Sequence, residues 1–457
     1  IDLGFKTPTT VSINSVALNE GTGAGPTAIQ FTVTRNDNSE AFSLAVNTSD
    51  LTATTSDNDY TTISNGMVSF TAGGSLTATV TVNVNHDNKV EQTETFNVVL
   101  SGAPAGVLIT NAIGTGTINN DDAATVSVAS DISQAENGGN QTFTITISNP
   151  VDVDVSVLFS TSNGTAATTD IDYNAIVSQN VTFLAGTTIA QTVTVTINND
   201  NKVELDETYS VTIGSLSASG RSVNIGTAMR TGTIENDDAA TVNIAADVSQ
   251  LENAGNQTFN VTLSNPVDAE VMVLFLTSNG TATTADSDFA AIVNQSVTFP
   301  INTTSNQTVT VTINSDNKVE DNEVYNVSIG TLSASGRSVT LGSNTSRTGT
   351  ILNDDVATVT LSPVGGVPQN EGNSIVTNFT FTATVDNPVQ GGFTLGFSTA
   401  DGTATSPSDY TGGSANLTFN GTANQALNID IGVNGDLEIE DDETFTVSLT
   451  TVSGTTA

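Results

Sequence analysis

The chain has 457 residues and carries 48 acidic against 9 basic side chains, a net charge of −39. That length exceeds one ordinary core and suits three to five domains of ~100–150 residues. The charge argues against nucleic-acid binding, which needs Lys and Arg on phosphates, and against anionic membrane surfaces, while leaving cations as partners. Apolar residues still make up 37%, with 5% aromatics and no Trp. Their regular spacing separates this chain from a disordered acidic one. There is no Cys, which excludes thiolate metal sites and Cys nucleophiles and leaves the compartment open. No apolar run reaches the ~18 residues of a membrane span, and no signal peptide is visible. The sequence starts at Ile1 without Met and stops at Ala457 inside a repeat, as expected of a piece of something longer.

Residues 1–8 form a lead-in. From there the chain repeats itself. Asn120-Asp121-Asp122, Asn236-Asp237-Asp238 and Asn353-Asp354-Asp355 each follow a Gly-Thr-Ile strand, with Asp122, Asp238 and Asp355 spaced 116 and 117 residues apart. Glu20, Glu136, Glu252 and Glu371 step by 116, 116 and 119. The units are therefore 9–122, 123–238, 239–355 and 356–457. Each is long enough to fold alone, and joints such as Asp122-Ala123-Ala124-Thr125 are too short for flexible tethers.

Within a unit the apolar period is 2. In Thr142-Phe143-Thr144-Ile145-Thr146-Ile147 the residues Phe143, Ile145 and Ile147 share one face and Thr the other, the mark of a half-buried strand. In the second unit strands are expected near 124–129, 141–148, 155–161, 180–184, 189–197, 207–213 and 226–235. Asn149-Pro150, Asn163-Gly164, Ala185-Gly186 and Ser219-Gly220 punctuate them. No stretch has a helical period. The fold class is all-β: a tandem array of seven-stranded antiparallel β-sandwiches. The fourth unit lacks the last Gly-Thr-Ile strand. Either the chain is cut there, or a neighbour's strand fills the open edge. Residues 1–8 are the candidate donor for such homotypic assembly.

Acidic residues recur in register. The frame Asp-x-x-x-Glu-x-x-Glu appears at 87–94, 200–207, 316–323 and 436–443. In the second unit it joins Glu136, Asp170 and Asp172 of Asp-Ile-Asp-Tyr, and the exit pair Asp237-Asp238. Loops of a sandwich collect at its two ends, and these acids are expected at the end facing the next unit. Carboxylates without Cys or clustered His are hard oxygen donors. They suit Ca²⁺, which takes six to eight oxygens in flexible geometry, better than Mg²⁺, which keeps its waters. The frame lacks the twelve-residue loop and central Gly of an EF-hand. Asp57, Asp170 and Asp286 read as turn formers rather than ligands.

These motifs together resemble the Calx-beta domain: Glu after the first strand, Asp-Tyr in mid-domain, the Asp-x-x-x-Glu-x-x-Glu-Thr-Phe/Tyr run, and Gly-Thr-Ile-x-Asn-Asp-Asp at the exit. The likeness spans nearly the whole chain in four copies. It implies an immunoglobulin-like sandwich with a Ca²⁺ cluster at one tip, near the joint to the next domain. Carried over by motif, the ligands are Glu20, Asp59, Asp87, Glu91, Glu94, Asp121 and Asp122 in the first unit. In the second they are Glu136, Asp172, Asp200, Glu204, Glu207, Asp237 and Asp238. In the third they are Glu252, Asp288, Asp316, Glu320, Glu323, Asp354 and Asp355. In the fourth they are Glu371, Asp409, Asp436, Glu440 and Glu443, without exit acids. The family often has a second Asp where Asn88, Asn201, Asn317 and Leu437 stand, which implies fewer or weaker ions.

An enzyme is not expected. His86, the one histidine, aligns with Asn199, Ser315 and Gly435 and reads as a surface residue. The carboxylate pairs of a glycosidase would not recur in every unit. Arg221 and Arg337, in two copies of Ser-Ala-Ser-Gly-Arg-Ser-Val, read as hairpin tips that pair with nearby acids. The resemblance implies a structural stalk or filament segment of a large secreted or cell-surface protein, adhesin-like and bacterial. Calcium ions and other repeats would be its partners, with four units making a rod of roughly 160–200 Å. The alternatives are a Ca²⁺ sensor of the sodium–calcium exchanger type, or an extracellular fibre joined by strand complementation.

Overall fold

The computed structural model describes residues 7–454. The expected lead-in and strand donor 1–8 falls mostly on residues 1–6, outside the described residues. Nearly all regular structure is strand. The helical exceptions among the described residues are the single 3₁₀ turns Glu136–Gly138 and Glu252–Ala254. Two compact units divide the chain: residues up to Asp200 with Asp206–Asp237, and Asn201–Leu205 with the chain from Asp238 on.

The first repeat shows why the sequence folds as it does. Its strands are β1 (Thr9–Ile13), β2 (Val16–Asn19), β3 (Thr27–Arg35), β4 (Phe42–Asp50), β5 (Gly66–Phe70), β6 (Thr77–Val84), β7 (Glu94–Ser101), β8 (Val107–Asn111) and β9 (Ile113–Asn119). Alternation sets the inner face: Ile29, Phe31 and Val33 on β3 are at most 1% exposed, as are Phe96 and Val98 on β7. One sheet runs β6-β3-β1-β8 and the other β2-β9-β7-β4-β5. Their inner faces close one hydrophobic core.

The count is nine where seven strands are expected, because the leading strand divides into β1 and β2 and the short β8 is added. β1 pairs with β3, and β2 crosses to the other sheet to pair with β9. At the crossing Asn14 Oδ1 accepts the Thr32 amide at 2.6 Å, and Ser15 Oγ accepts the Thr115 amide at 3.0 Å. Those side-chain bonds replace ladder bonds where the backbone changes sheets. The crossing also makes the pairing mixed. β1–β8 and β2–β9 are parallel, and the remaining pairs are antiparallel. In the second repeat all seven expected strands form. The additions are Ile132–Ala135 and Val223–Ile225, both too short to show a period.

A stacked ring pair recurs at one end of every core. Tyr60 lies on Phe96 at 4.2 Å, Tyr173 on Tyr209 at 4.5 Å, Phe289 on Tyr325 at 4.5 Å and Tyr410 on Phe445 at 4.5 Å. The Gly of Gly-Thr-Ile makes room for the second ring. A Cβ on Gly116, Gly232 or Gly349 would stand 2.5, 2.4 or 2.3 Å from a ring carbon of Phe96, Tyr209 or Tyr325. The Tyr209 hydroxyl donates to Gln141 Oε1 at 2.8 Å, and Gln141 Nε2 donates to the Thr233 carbonyl at 2.7 Å. Tyr325 and Gln257 repeat the arrangement. Among its described residues the fourth repeat has two three-stranded sheets, with strand orders Val359–Pro363, Val376–Val385, Ala426–Asn434 and Ser414–Phe419, Phe393–Asp401, Phe445–Ser453.

Gly232→Ala and Gly349→Ala drive a methyl into a ring that has no room to retreat. Each is expected to cost about 1–3 kcal/mol, read as a lower urea midpoint at unchanged slope. A wild-type midpoint for both would show that the ring does not need the gap.

Candidate metal centre

The stacked rings position the acids. Asp59 precedes Tyr60 and Glu94 lies two residues before Phe96, so the Tyr60–Phe96 stack holds both carboxylates at the same end of the sandwich. The parallel strands β2 and β9 end together there. The Glu20 amide donates to the Asn119 carbonyl at 3.0 Å, and the Gly21 amide to Asp121 Oδ1 at 3.0 Å. Glu94 opens β7 opposite Ile118, which brings the frame beside the exit pair. An asparagine joins them: Asn120 Oδ1 accepts the Glu91 amide at 3.0 Å, while its Nδ2 donates to the Asp122 carbonyl at 2.9 Å. Asn353 does the same for Glu320 and Asp355, at 2.9 and 3.1 Å. The frame alone gave no sign of this asparagine's role.

The acids of the first repeat fall into two groups. In the outer group, oxygens of Glu20, Asp87 and Asp122 all lie within 4.8 Å of one another. In the inner group, Asp57, Asp59 and Glu91 do the same. Glu94 adjoins the inner group through a side-chain hydrogen bond to Asp59. Asp59 Oδ2 also accepts the Thr54 amide at 2.6 Å. Asp121 faces the Gly21 amide on the rim. Asp57 is therefore more than a turn former, because its carboxylate completes the inner group.

The third repeat repeats the plan. Glu252, Asp316 and Asp355 form an outer group within 4.8 Å, and Glu252 Oε1 accepts the Asp316 amide at 2.7 Å. Glu252, Glu320 and Glu323 are under 10% exposed. Asp288 Oδ2 accepts the Thr283 amide at 2.6 Å and hydrogen-bonds Glu323. Asp354 Oδ1 accepts the Asn253 amide at 3.3 Å.

The second repeat's residues are divided between the two compact units. In the first unit Glu136 Oε1 accepts the Asp200 amide at 2.7 Å, Asp172 Oδ2 accepts the Ala167 amide at 2.6 Å, and Asp237 binds Asn137. Glu207 opens the strand Glu207–Ser217. In the second unit Glu204 pairs with Lys202, and Asp238 precedes the strand Ala240–Ile244. In the fourth repeat Glu371 and Asp409 are half-buried, while Asp436, Glu440 and Glu443 are exposed. Glu443 hydrogen-bonds Asp409, as Glu94 does Asp59.

Burial and mutual repulsion push several of these carboxyls up. Glu20 rises to about 8, mainly from burial and then from Asp87, Glu91 and Asp122. Glu94 also rises to about 8, from burial and then Asp59. Glu323 reaches about 7, from burial and then its bond to Asp288. Asp122 is raised by burial and then by Asp121. Its Oδ2 is buried and finds no hydrogen-bond donor among the described residues. A buried charged oxygen without a donor is costly. The donor set is all oxygen, and oxygens within 4.8 Å of one another can share one ion that holds each at about 2.4 Å. These residues fit a hard divalent cation.

In the frame, Val90 lies between Asp87 of the outer group and Glu91 of the inner group, and it leaves its own domain. Its amide donates to the Pro150 carbonyl at 2.9 Å, and its carbonyl accepts the Asp152 amide at 3.1 Å. Val90 is fully buried in the second repeat's core. Within the second compact unit, Val203 inserts likewise at Pro266 and Asp268, and Val319 at Pro388 and Gln390. Arg221 clasps Asp152 with two bonds of 2.7 Å, and Arg337 clasps Asp268 at 2.6 and 2.7 Å. The arginines thus brace the receiving turns. His86 is half-buried rather than on the surface, and its Nε2 lies 2.6 Å from Thr27 Oγ1.

A family model described as the Calx-beta domain matches residues 9–122, 119–238, 235–356 and 369–457. Among solved structures, CBD12 from CALX1.2 is 17% identical and covers 50% of this chain and 99% of its own, at a TM-score of 0.24. The calcium binding domain CBD12 of CALX1.1 is 18% identical over 48% of this chain and 96% of its own, at 0.23. A two-domain protein of unknown function from Bacteroides fragilis is 12% identical over 46% and 87%, at 0.20. A comparison with curated proteins gave no significant match. No helix among the described residues is long and apolar enough to cross a membrane.

The raised carboxyls set a pH dependence. Glu20 and Glu94 hold protons to about pH 8 when folded, against about 4.5 otherwise. With metal chelated, their contribution to stability is full below about 4.5 and is lost as pH rises through about 8. Thermal melts in chelator should fall from pH 5 to 9, and Ca²⁺ binding near neutral pH should release protons. Melts flat across that range, with no proton release, would contradict the arrangement.

Proposed function

Because the chain belongs to the Calx-beta family, in four consecutive domains, we propose that it is a Ca²⁺-binding structural segment of a large secreted or cell-surface protein. In this reading the ions sit at the joints between repeats and stiffen the array. One observation carries it. Val90, buried in the core of the next repeat, lies one residue from Glu91, whose amide is held by the asparagine of the exit pair. The donor cluster and the inter-repeat plug are one short stretch of chain. An ion that fixes Asp87, Asp122 and Glu20 therefore also fixes the segment that enters the neighbour.

Each part supports a structural role. The joint is short, the plug is apolar, and the receiving turn is braced by an Arg–Asp clasp. Millimolar Ca²⁺ outside cells would fill weak sites of this kind. The adhesin-like and bacterial assignment rests on the tandem repetition and the low Lys content, with four lysines in the chain. Catalysis has no part in this reading, since the acids recur in each repeat.

Chelation should lower the melting temperature and broaden the distance distribution in solution scattering. At free Ca²⁺ one hundred times the dissociation constant, an ion adds about 2.7 kcal/mol per site. Identical melting and scattering with Ca²⁺ and with chelator would refute the stiffening role. Saturation at micromolar Ca²⁺ would favour a sensor instead.

A further inference from the structure

Three of the chain's four lysines stand at the third position of the acidic frame: Lys89, Lys202 and Lys318. Lys89 Nζ lies 2.7 Å from Asp57 Oδ2 and 2.5 Å from Glu91 Oε1. Lys318 Nζ lies 2.9 Å from Asp286 Oδ2 and also pairs with Glu320. Lys202 pairs with Glu204. The backbone presents these side chains the same way. The Lys89 amide donates to Asp87 Oδ1 at 2.7 Å, and the Lys318 amide to Asp316 Oδ1 at 2.6 Å.

The inner and outer groups of the first repeat are equally tight, each within 4.8 Å, but they are neutralised differently. The inner group of Asp57, Asp59 and Glu91 has an ammonium in contact with two of its members. Among the described residues no ion pair joins a cation to Glu20, Asp87 or Asp122, and Asp122, only 6% exposed, keeps Oδ2 without a hydrogen-bond donor. We infer that the frame lysine is the resident counter-cation of the inner group, so that the first and third repeats each take a divalent ion at the outer group alone. This rests on the metal reading and sets how many ions each repeat holds. The ammonium is tethered and half-buried. An arriving ion would have to break both of its pairs and leave a lysine without partners, which is costly when the group is out of water. The fourth repeat has Glu438 at the lysine position and Pro407 at the place of Asp57, so this device belongs to the first three copies.

Equilibrium dialysis of the full chain tests the inference, with circular dichroism confirming the β signature of each variant. The double variant Lys89→Met, Lys318→Met should bind two more Ca²⁺ per chain than wild type. Lys89→Arg, Lys318→Arg should bind the wild-type number. Equal counts for the Met and wild-type chains would overturn the counter-cation role while leaving the metal reading intact. A wild-type chain that binds no Ca²⁺ would overturn both. Should the Met variant fail to fold, amine acylation of the wild-type chain followed by mass spectrometry decides the matter. Lys89 and Lys318 should stay as protected with saturating Ca²⁺ as without it. A several-fold rise in their labelling on adding Ca²⁺ would show the ion taking the lysine's place.

Discussion

Like-charge crowding is the constraint on which the rest depends. Two unit charges 5 Å apart repel by roughly 3 kcal/mol at an effective dielectric of about 20, and each outer group holds three carboxylates within that range. The fold cannot spread them. Glu20 and the exit pair are brought together by parallel strands that end side by side, and Asp59 and Glu94 by a ring stack in the core. The same packing that makes the sandwich therefore concentrates charge at its tip. Protons, a tethered ammonium and a divalent ion are three ways to relieve it, and the structure has a place for each.

The joint between repeats grows from the same stretch. The frame supplies acids at positions one, five and eight and an apolar residue at position four. Val90, Val203 and Val319 all enter a neighbouring Pro-Val turn. In the last copy Ile439 holds that position and is fully exposed, and the acids around it are exposed too.

Much of this was legible beforehand. Period-2 alternation located the seven long strands of the second repeat, since Phe143, Ile145 and Ile147 face inward as their spacing requires. The spaced copies of Glu20, Asp87 and Asp122 gave residues that meet at one tip. The short strands at 132–135 and 223–225 escaped notice because three or four residues cannot show a period. The sheet crossing at Asn14 and Ser15 escaped for another reason: it depends on side-chain bonds to both sheets. Asp57 and Asp286 read as turn residues because their spacing suits a turn, and their second role depends on a lysine 32 residues away. The asparagine of Asn-Asp-Asp was visible as a motif, but its two bonds across the site belong to three dimensions.

The proposed role requires the outer carboxylates to share a divalent ion. Anomalous diffraction from crystals grown with Ca²⁺, or with a lanthanide in its place, tests it most directly. A peak is expected enclosed by Glu20, Asp87 and Asp122, a second by Glu252, Asp316 and Asp355, and no peak at the Lys89 and Lys318 ammonium positions. Crystals at saturating ion with both outer groups unpeaked would contradict that role.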